Sequence, residues 1–139
     1  GKSVRLRMRT AQRAYRGREA LREVLLEALP TDKRSGSSWR LWLALWYHSE
    51  ESAAMRAEER RRYKEWLGRI SEILQESVGL GELPQAMNIA DEAKALVALA
   101  DGLGVQYLMA NGRLPAKQIV RLVDTYLERL YRQKLGDRY

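Results

Sequence analysis

Residues 91–111 read DEAKALVALADGLGVQYLMAN, and this stretch constrains the fold more than any other. Ala93, Leu96, Ala100, Leu103 and Tyr107 recur at steps of three and four, one stripe of a helix. Val97, Val105 and Leu108, with Gly104 between them, make a second stripe beside it. A helix with one apolar stripe rests on one core; a helix with two needs two neighbours. Gly102 and Gly104 each cost ~1 kcal/mol against alanine inside a helix. Close approach of another helix or a ligand is the expected return, because glycine has no side chain to hold either away. The stretch therefore reads as a helix shared between the core and something outside the chain.

The rest of the sequence supplies further helices. Val4, Met8, Ala11 and Tyr15 give a helical stripe between arginines over residues 4–15. Residues 19–29 form a short amphipathic helix stopped by Pro30, since proline disfavours helix in the residue before it. Residues 31–38 are polar and contain Gly36, which predicts a loop, with Ser38 as a helix cap. Trp39, Trp42, Leu43 and Trp46 then share a face, and a helix this apolar is expected to be mostly buried. Ser49 or Ser52 caps a long helix reaching about Val78, ended by Gly79 and Gly81. Asn88 and Asp91 resemble a capping pair for the central helix. Pro115 opens the last helix, which carries Ile119, Leu122, Val123, Tyr126, Leu127, Leu130 and Tyr131 to about Lys134. No alternating strand pattern appears. The expectation is one all-α domain over residues 1–139 with six helices.

Charge and composition narrow the function. The chain carries 25 Lys+Arg against 18 Asp+Glu, a net charge of +7. Two basic clusters, Arg5 to Arg18 and Arg60-Arg61-Arg62, suit a phosphate-binding surface, but acids lie among or near most of them, so solvated helix faces are the preferred explanation. Cysteine is absent, so there is no disulfide or thiolate chemistry. No apolar run approaches the ~18 residues of a membrane span, and no membrane partner is expected. The lone histidine, His48, reads as a packed or hydrogen-bonded residue of an aromatic helix. No Cys/His cluster has metal spacing, no phosphate-binding loop appears, and no nucleophile stands near a base. Neither a cofactor nor an enzyme activity is expected.

The aromatic inventory is unusual: four Trp and seven Tyr with no Phe. Indole and phenol carry one polar group on an apolar body, so buried ones need polar partners or a polar pocket. Tyr15, Trp42, Trp46, Tyr63 and Trp66 fall on inward faces of three predicted helices, and Leu103, Gln106 and Tyr107 on the central one. If these faces converge they line a cavity for a flat or cationic organic molecule, with Gln106 as the orienting polar group. Simple core filling is the competing explanation.

Several segments together resemble the C-terminal regulatory domain of the tetracycline-repressor (TetR) family, in the branch like the repressor BetI. They are GREALREVL at 17–25 running into Leu29-Pro30, the Trp-rich helix 39–47, the long helix 56–78 with Gly81-Glu82-Leu83, and ALVALADGL at 95–103. The resemblance implies a six-helix domain whose last two helices form a four-helix bundle in a homodimer. It also implies a small-molecule effector that releases the protein from operator DNA. Three helices of a DNA-binding helix-turn-helix precede this domain in the family. The residues before Val4 are too few to hold them, so operator DNA is expected as a partner only through a missing N-terminal domain. The dimer face is expected at Val97, Gly104, Val105 and Leu108, packed with Val123, Leu127 and Leu130 of the partner. The other readings of the residues are a helical dimerisation module without ligand and a non-specific nucleic-acid-binding domain.

Overall fold

The computed structural model describes residues 15–31, 33–48, 51–109 and 114–136, and the side chains among these except residues 33–38 and 133–136. They form five helices and, among the described residues, no strand. These are α1 (Gly17–Ala28), α2 (Lys33–Tyr47), α3 (Ala53–Gly79), α4 (Ile89–Met109) and α5 (Ala116–Gly136). The all-α expectation holds. The sixth expected helix, residues 4–15, lies outside the described residues apart from Tyr15, which is not helical.

One core joins four of the helices. Ala20, Leu21, Val24 and Leu25 of α1 meet Ile70, Ile73, Leu74 and Val78 of α3. Ala93, Leu96, Val97, Ala100 and Leu103 of α4 and Ile119, Val123, Leu127 and Leu130 of α5 complete the same cluster. Each set repeats at three and four residues, so each helix turns one continuous face inward. Helices α3 and α4 pack together as a hairpin, α1 lies on both α3 and α5, and α2 lies on α3. Arg22 ties α1 to α5: its Nε and Nη2 donate to the two carboxylate oxygens of Asp124 at 2.6 and 3.3 Å.

Local signals explain most boundaries. Ser52 caps α3, its hydroxyl oxygen accepting from the Met55 amide at 3.3 Å. Asn88 accepts from the Asp91 amide at 3.1 Å and its side-chain amide donates to the Asp91 carboxylate at 3.0 Å. The predicted loop over residues 31–38 is shorter than expected, because α2 already begins at Lys33. Ser38 is inside that helix and is not its cap. Proline is absent from this segment and glycine occurs once, at a cost of ~1 kcal/mol. Once Trp39 fixes the helix, it propagates backward at little cost.

Candidate functional site

The expected site centres on α2, and its geometry begins with Trp39. This indole is 9% exposed and its Nε1–H donates to the Ala28 carbonyl at 2.6 Å. That carbonyl lies in the last turn of α1, which lacks intrahelical donors, so the bond satisfies both groups. The far edge of the ring rests on Gly104: a Cβ built there would lie 2.2 Å from Trp39 Cη2. Gly104 thus provides the close approach expected of it, but to the chain's own α2. Gly102 has no atom within 4 Å of such a Cβ and is exposed.

From Trp39 an aromatic ladder runs outward along α2. Trp42 meets Trp39 edge to face at a centroid distance of 5.1 Å. Trp46 stacks on Trp42 at 6.3 Å with the planes 9° apart. Burial falls along the ladder: Trp42 is half-buried and Trp46 is 55% exposed. Leu41 and Tyr47 are exposed too, so α2 is not the mostly buried helix its composition predicts. The reason is geometric. The helix touches α1 and α4 through Trp39 at its inner end and otherwise packs mainly on α3, so its C-terminal turns run past the core. His48, at its end, is not a core residue; its Nδ1 lies 3.2 Å from the Glu51 carboxylate at the surface.

The remaining expected site residues divide. Trp66 and Tyr107 pack against the core cluster and Leu103 belongs to it. Tyr63 and Tyr15 are each 41% exposed, and Gln106 is exposed. Tyr15 lies beyond the start of α1 and not on an inward helical stripe. The expected cavity residues therefore comprise buried packing groups and outward-facing groups, with Trp42 and Trp46 forming the continuous aromatic surface.

Most of the residues expected at the dimer face are buried within the single chain. Val97, Val123, Leu127 and Leu130 are 1–3% exposed within a single chain. They fill the chain's own core, and a side chain with almost no accessible surface has none to offer a partner. Gly104 is covered by Trp39. Val105 and Leu108 are half-buried, and the larger apolar exposures on these helices are Met109 of α4 and Leu122 of α5. The second stripe of α4 exists, but α2 of the same chain takes its centre.

Asp101 escaped the sequence reading. It lies on that stripe between Val97 and Gly104, half-buried, with no hydrogen-bond or ion-pair partner among the described residues. Burial first and the negative charge of Glu59 second raise its carboxyl to about 6. Its spacing, four residues after Val97 and three before Gly104, was the available signal. Tyr126 and Tyr131 are also raised, each to about 12, mainly by burial; Tyr126 donates to Glu92 at 2.7 Å and Tyr131 shares a 2.7 Å bond with Ser77. No group of three or more His, Cys, Asp or Glu among the described residues is placed to hold a metal ion.

Comparison with known proteins decides the family. The description "BetI-type transcriptional repressor, C-terminal" matches residues 17–132, from the first residue of α1 nearly to the end of α5. The chain belongs to this family. It is a C-terminal domain of the TetR type, from a class of transcriptional regulators that is not typically enzymatic. TetR-family domains generally dimerise and bind small-molecule effectors. Comparison with curated proteins gives no match. Among the described residues, no helix of this BetI-type domain is long and apolar enough to cross a membrane.

Proposed function

We propose that this BetI-type domain senses a small organic effector, aromatic or cationic, against the tryptophan face of α2, and that binding releases the regulator from its operator DNA. The observation that carries this is the Trp39–Trp42–Trp46 ladder. Its inner end is locked by the Ala28 carbonyl and Gly104, and its outer end reaches solvent. A purely structural tryptophan is normally packed on both faces. A series that becomes more exposed along the helix offers pre-positioned indole surface, which attracts planar and cationic groups. Sensing requires the effector to bind one conformation of the regulator better than the other.

The protein acts as a homodimer in this reading. Val105, Leu108 and Met109, with Leu122 of α5, replace the core residues in the proposed face. Leu108→Glu or Leu122→Glu should then give a monomer in sedimentation, and an unmodified domain that is monomeric at micromolar concentration sinks the dimer.

Tryptophan fluorescence titrated with lipophilic cations and planar neutral compounds tests the sensor. Trp46→Ala should weaken any saturable response while leaving the domain folded. A dimerisation domain without ligand is favoured instead if no compound across a broad panel gives saturation, and the packing of Trp66, Leu103 and Tyr107 into the core supports that second reading.

A further inference from the structure

The start of α1 has no cap of its own. Arg16 occupies the cap position in an extended conformation and makes no side-chain capping bond. Two of the free amides, those of Gly17 and Arg18, are satisfied from some sixty residues away. Glu76 of α3 accepts from the Gly17 amide at 2.9 Å and from Arg16 Nη1 at 3.1 Å. Glu82, in the turn after α3, accepts from the Arg18 amide at 3.0 Å. Two carboxylates therefore sit at the positive end of α1, where anions are favoured.

The surroundings fix that arrangement. Gly17 has φ +55°, which favours glycine, and a Cβ there would lie 2.0 Å from Glu82 Oε1. The turn that presents Glu82 is folded back on α3, the Glu82 and Leu83 amides donating to the Ser77 carbonyl at 2.8 and 3.3 Å. The Ser77 hydroxyl shares its bond with Tyr131 of α5, and the Arg18 guanidinium lies 5.8 Å from the centroid of the Tyr131 ring. The path by which the backbone enters α1 is thus set by α3, by its following turn and by α5.

We propose that Glu76 and Glu82 form a latch that holds the entry to α1 and fixes the course of the backbone at Tyr15–Arg16. With both carboxylates in place, α1 begins at Gly17 and the backbone at Tyr15–Arg16 has one course. When α3 or its turn shifts, both acceptors leave together, the first turn of α1 frays and that course is freed. The proposal rests on the sensor reading only for what would displace α3; the latch itself stands in the unliganded protein.

The test uses the unliganded chain. Gly17 and Arg18 amides lack intrahelical acceptors, so their protection from hydrogen exchange reports the latch directly. In Glu76→Ala/Glu82→Ala it should fall on the order of tenfold or more, while the Leu25 amide stays protected. Because the sequence has no cysteine, spin labels at Tyr15→Cys and Lys117→Cys are unique. Their distance distribution should be narrow in the parent and broad in the variant. Gly17→Ala, which crowds the latch from the other side, should broaden it as well. Unchanged protection and an unchanged distribution overturn the latch. Should the double variant lose protection at Leu25 too, the single variants Glu76→Ala and Glu82→Ala are read by the same criteria. Since no effector is added, failure here leaves the sensor reading untouched.

Discussion

Gly102 and Gly104 are two residues apart on one helix, yet alanine at each should shift stability in opposite directions. At Gly102 the new methyl meets nothing within 4 Å, so the effect is the helix propensity gain of ~1 kcal/mol. At Gly104 the same gain is opposed. The Cβ would lie 2.2–2.6 Å from three atoms of the Trp39 ring, and that ring must move. It is not a flexible side-chain end, because it is buried and held by the Ala28 carbonyl. Overpacking costs ~1–3 kcal/mol. Breaking the indole bond costs a further ~1–3 kcal/mol if the partners stay buried. The net loss for Gly104→Ala is then ~1–5 kcal/mol, or a fall of roughly 3–20 °C in Tm for a domain of this size. Urea unfolding followed by helical circular dichroism measures both variants, at two protein concentrations so that self-association is separated from folding. A cycle with Trp39→Ala isolates the cause. Removing the indole alone costs ~3–5 kcal/mol, but in that background Gly104→Ala should become stabilising by ~1 kcal/mol. Gly104→Ala at or above the parent stability, or a loss that persists without Trp39, refutes the reasoning.

Other outcomes follow from the same structure. The Asp101 carboxyl, raised from 3.8 to about 6, binds a proton in the folded state that the unfolded chain releases. Its stabilising contribution is complete below about pH 4 and is lost as the pH rises through about 6. Asp101→Asn should remove that slope and raise the urea midpoint at neutral pH by an amount worth ~1–2 kcal/mol after solvent screening; an unchanged profile counts against the buried carboxyl. The Arg22–Asp124 pair is half-exposed, so a double-mutant cycle with alanine at both should give a coupling of ~0.5–1 kcal/mol. Trp46→Ala should cost well under the ~3–5 kcal/mol of a buried tryptophan, because more than half of its surface is already in water; a thermal melt showing a full core loss would place Trp46 inside.

Much of the fold was legible in the sequence because burial repeats with the helical period. The stripes of α1, α3, α4 and α5 meet in one cluster, and the Ser52 cap and Asn88–Asp91 pair lie where their chemistry predicts. The site was less legible. Periodicity says which residues share a face, but not which neighbour covers it. Val123 and Leu127 were read as surface for a partner, although α5 uses the same face to close its own core. Trp42 and Trp46 share a face in the structure as in the sequence, but burial falls along it as α2 leaves the core. The latch at Gly17 was invisible for a different reason: its acceptors lie 59 and 64 residues away, and an arginine at the cap position gives no local sign of them.

The burial of the second stripe changes what can couple the parts of this domain. Had Gly104 faced a partner chain, α4 would link the core to a dimer and α2 would be an appendage. Instead α2 is pinned at Trp39 between the end of α1 and the middle of α4. In the proposed sensor, a ligand pressing on Trp42 or Trp46 would act on a lever whose fulcrum touches both helices. One end of α1 would receive that force through the Ala28 carbonyl. Its other end is held by Glu76 and Glu82, on α3 and the turn that leads into α4. Helix α1 is therefore gripped at its two termini by elements that meet at the tryptophan face and at the α3–α4 hairpin. With Leu21, Val24 and Leu25 locked into the core between them, α1 is more apt to shift as a rigid rod than to bend. A displacement at its C-terminal end would then reach the latch without melting the helix in between.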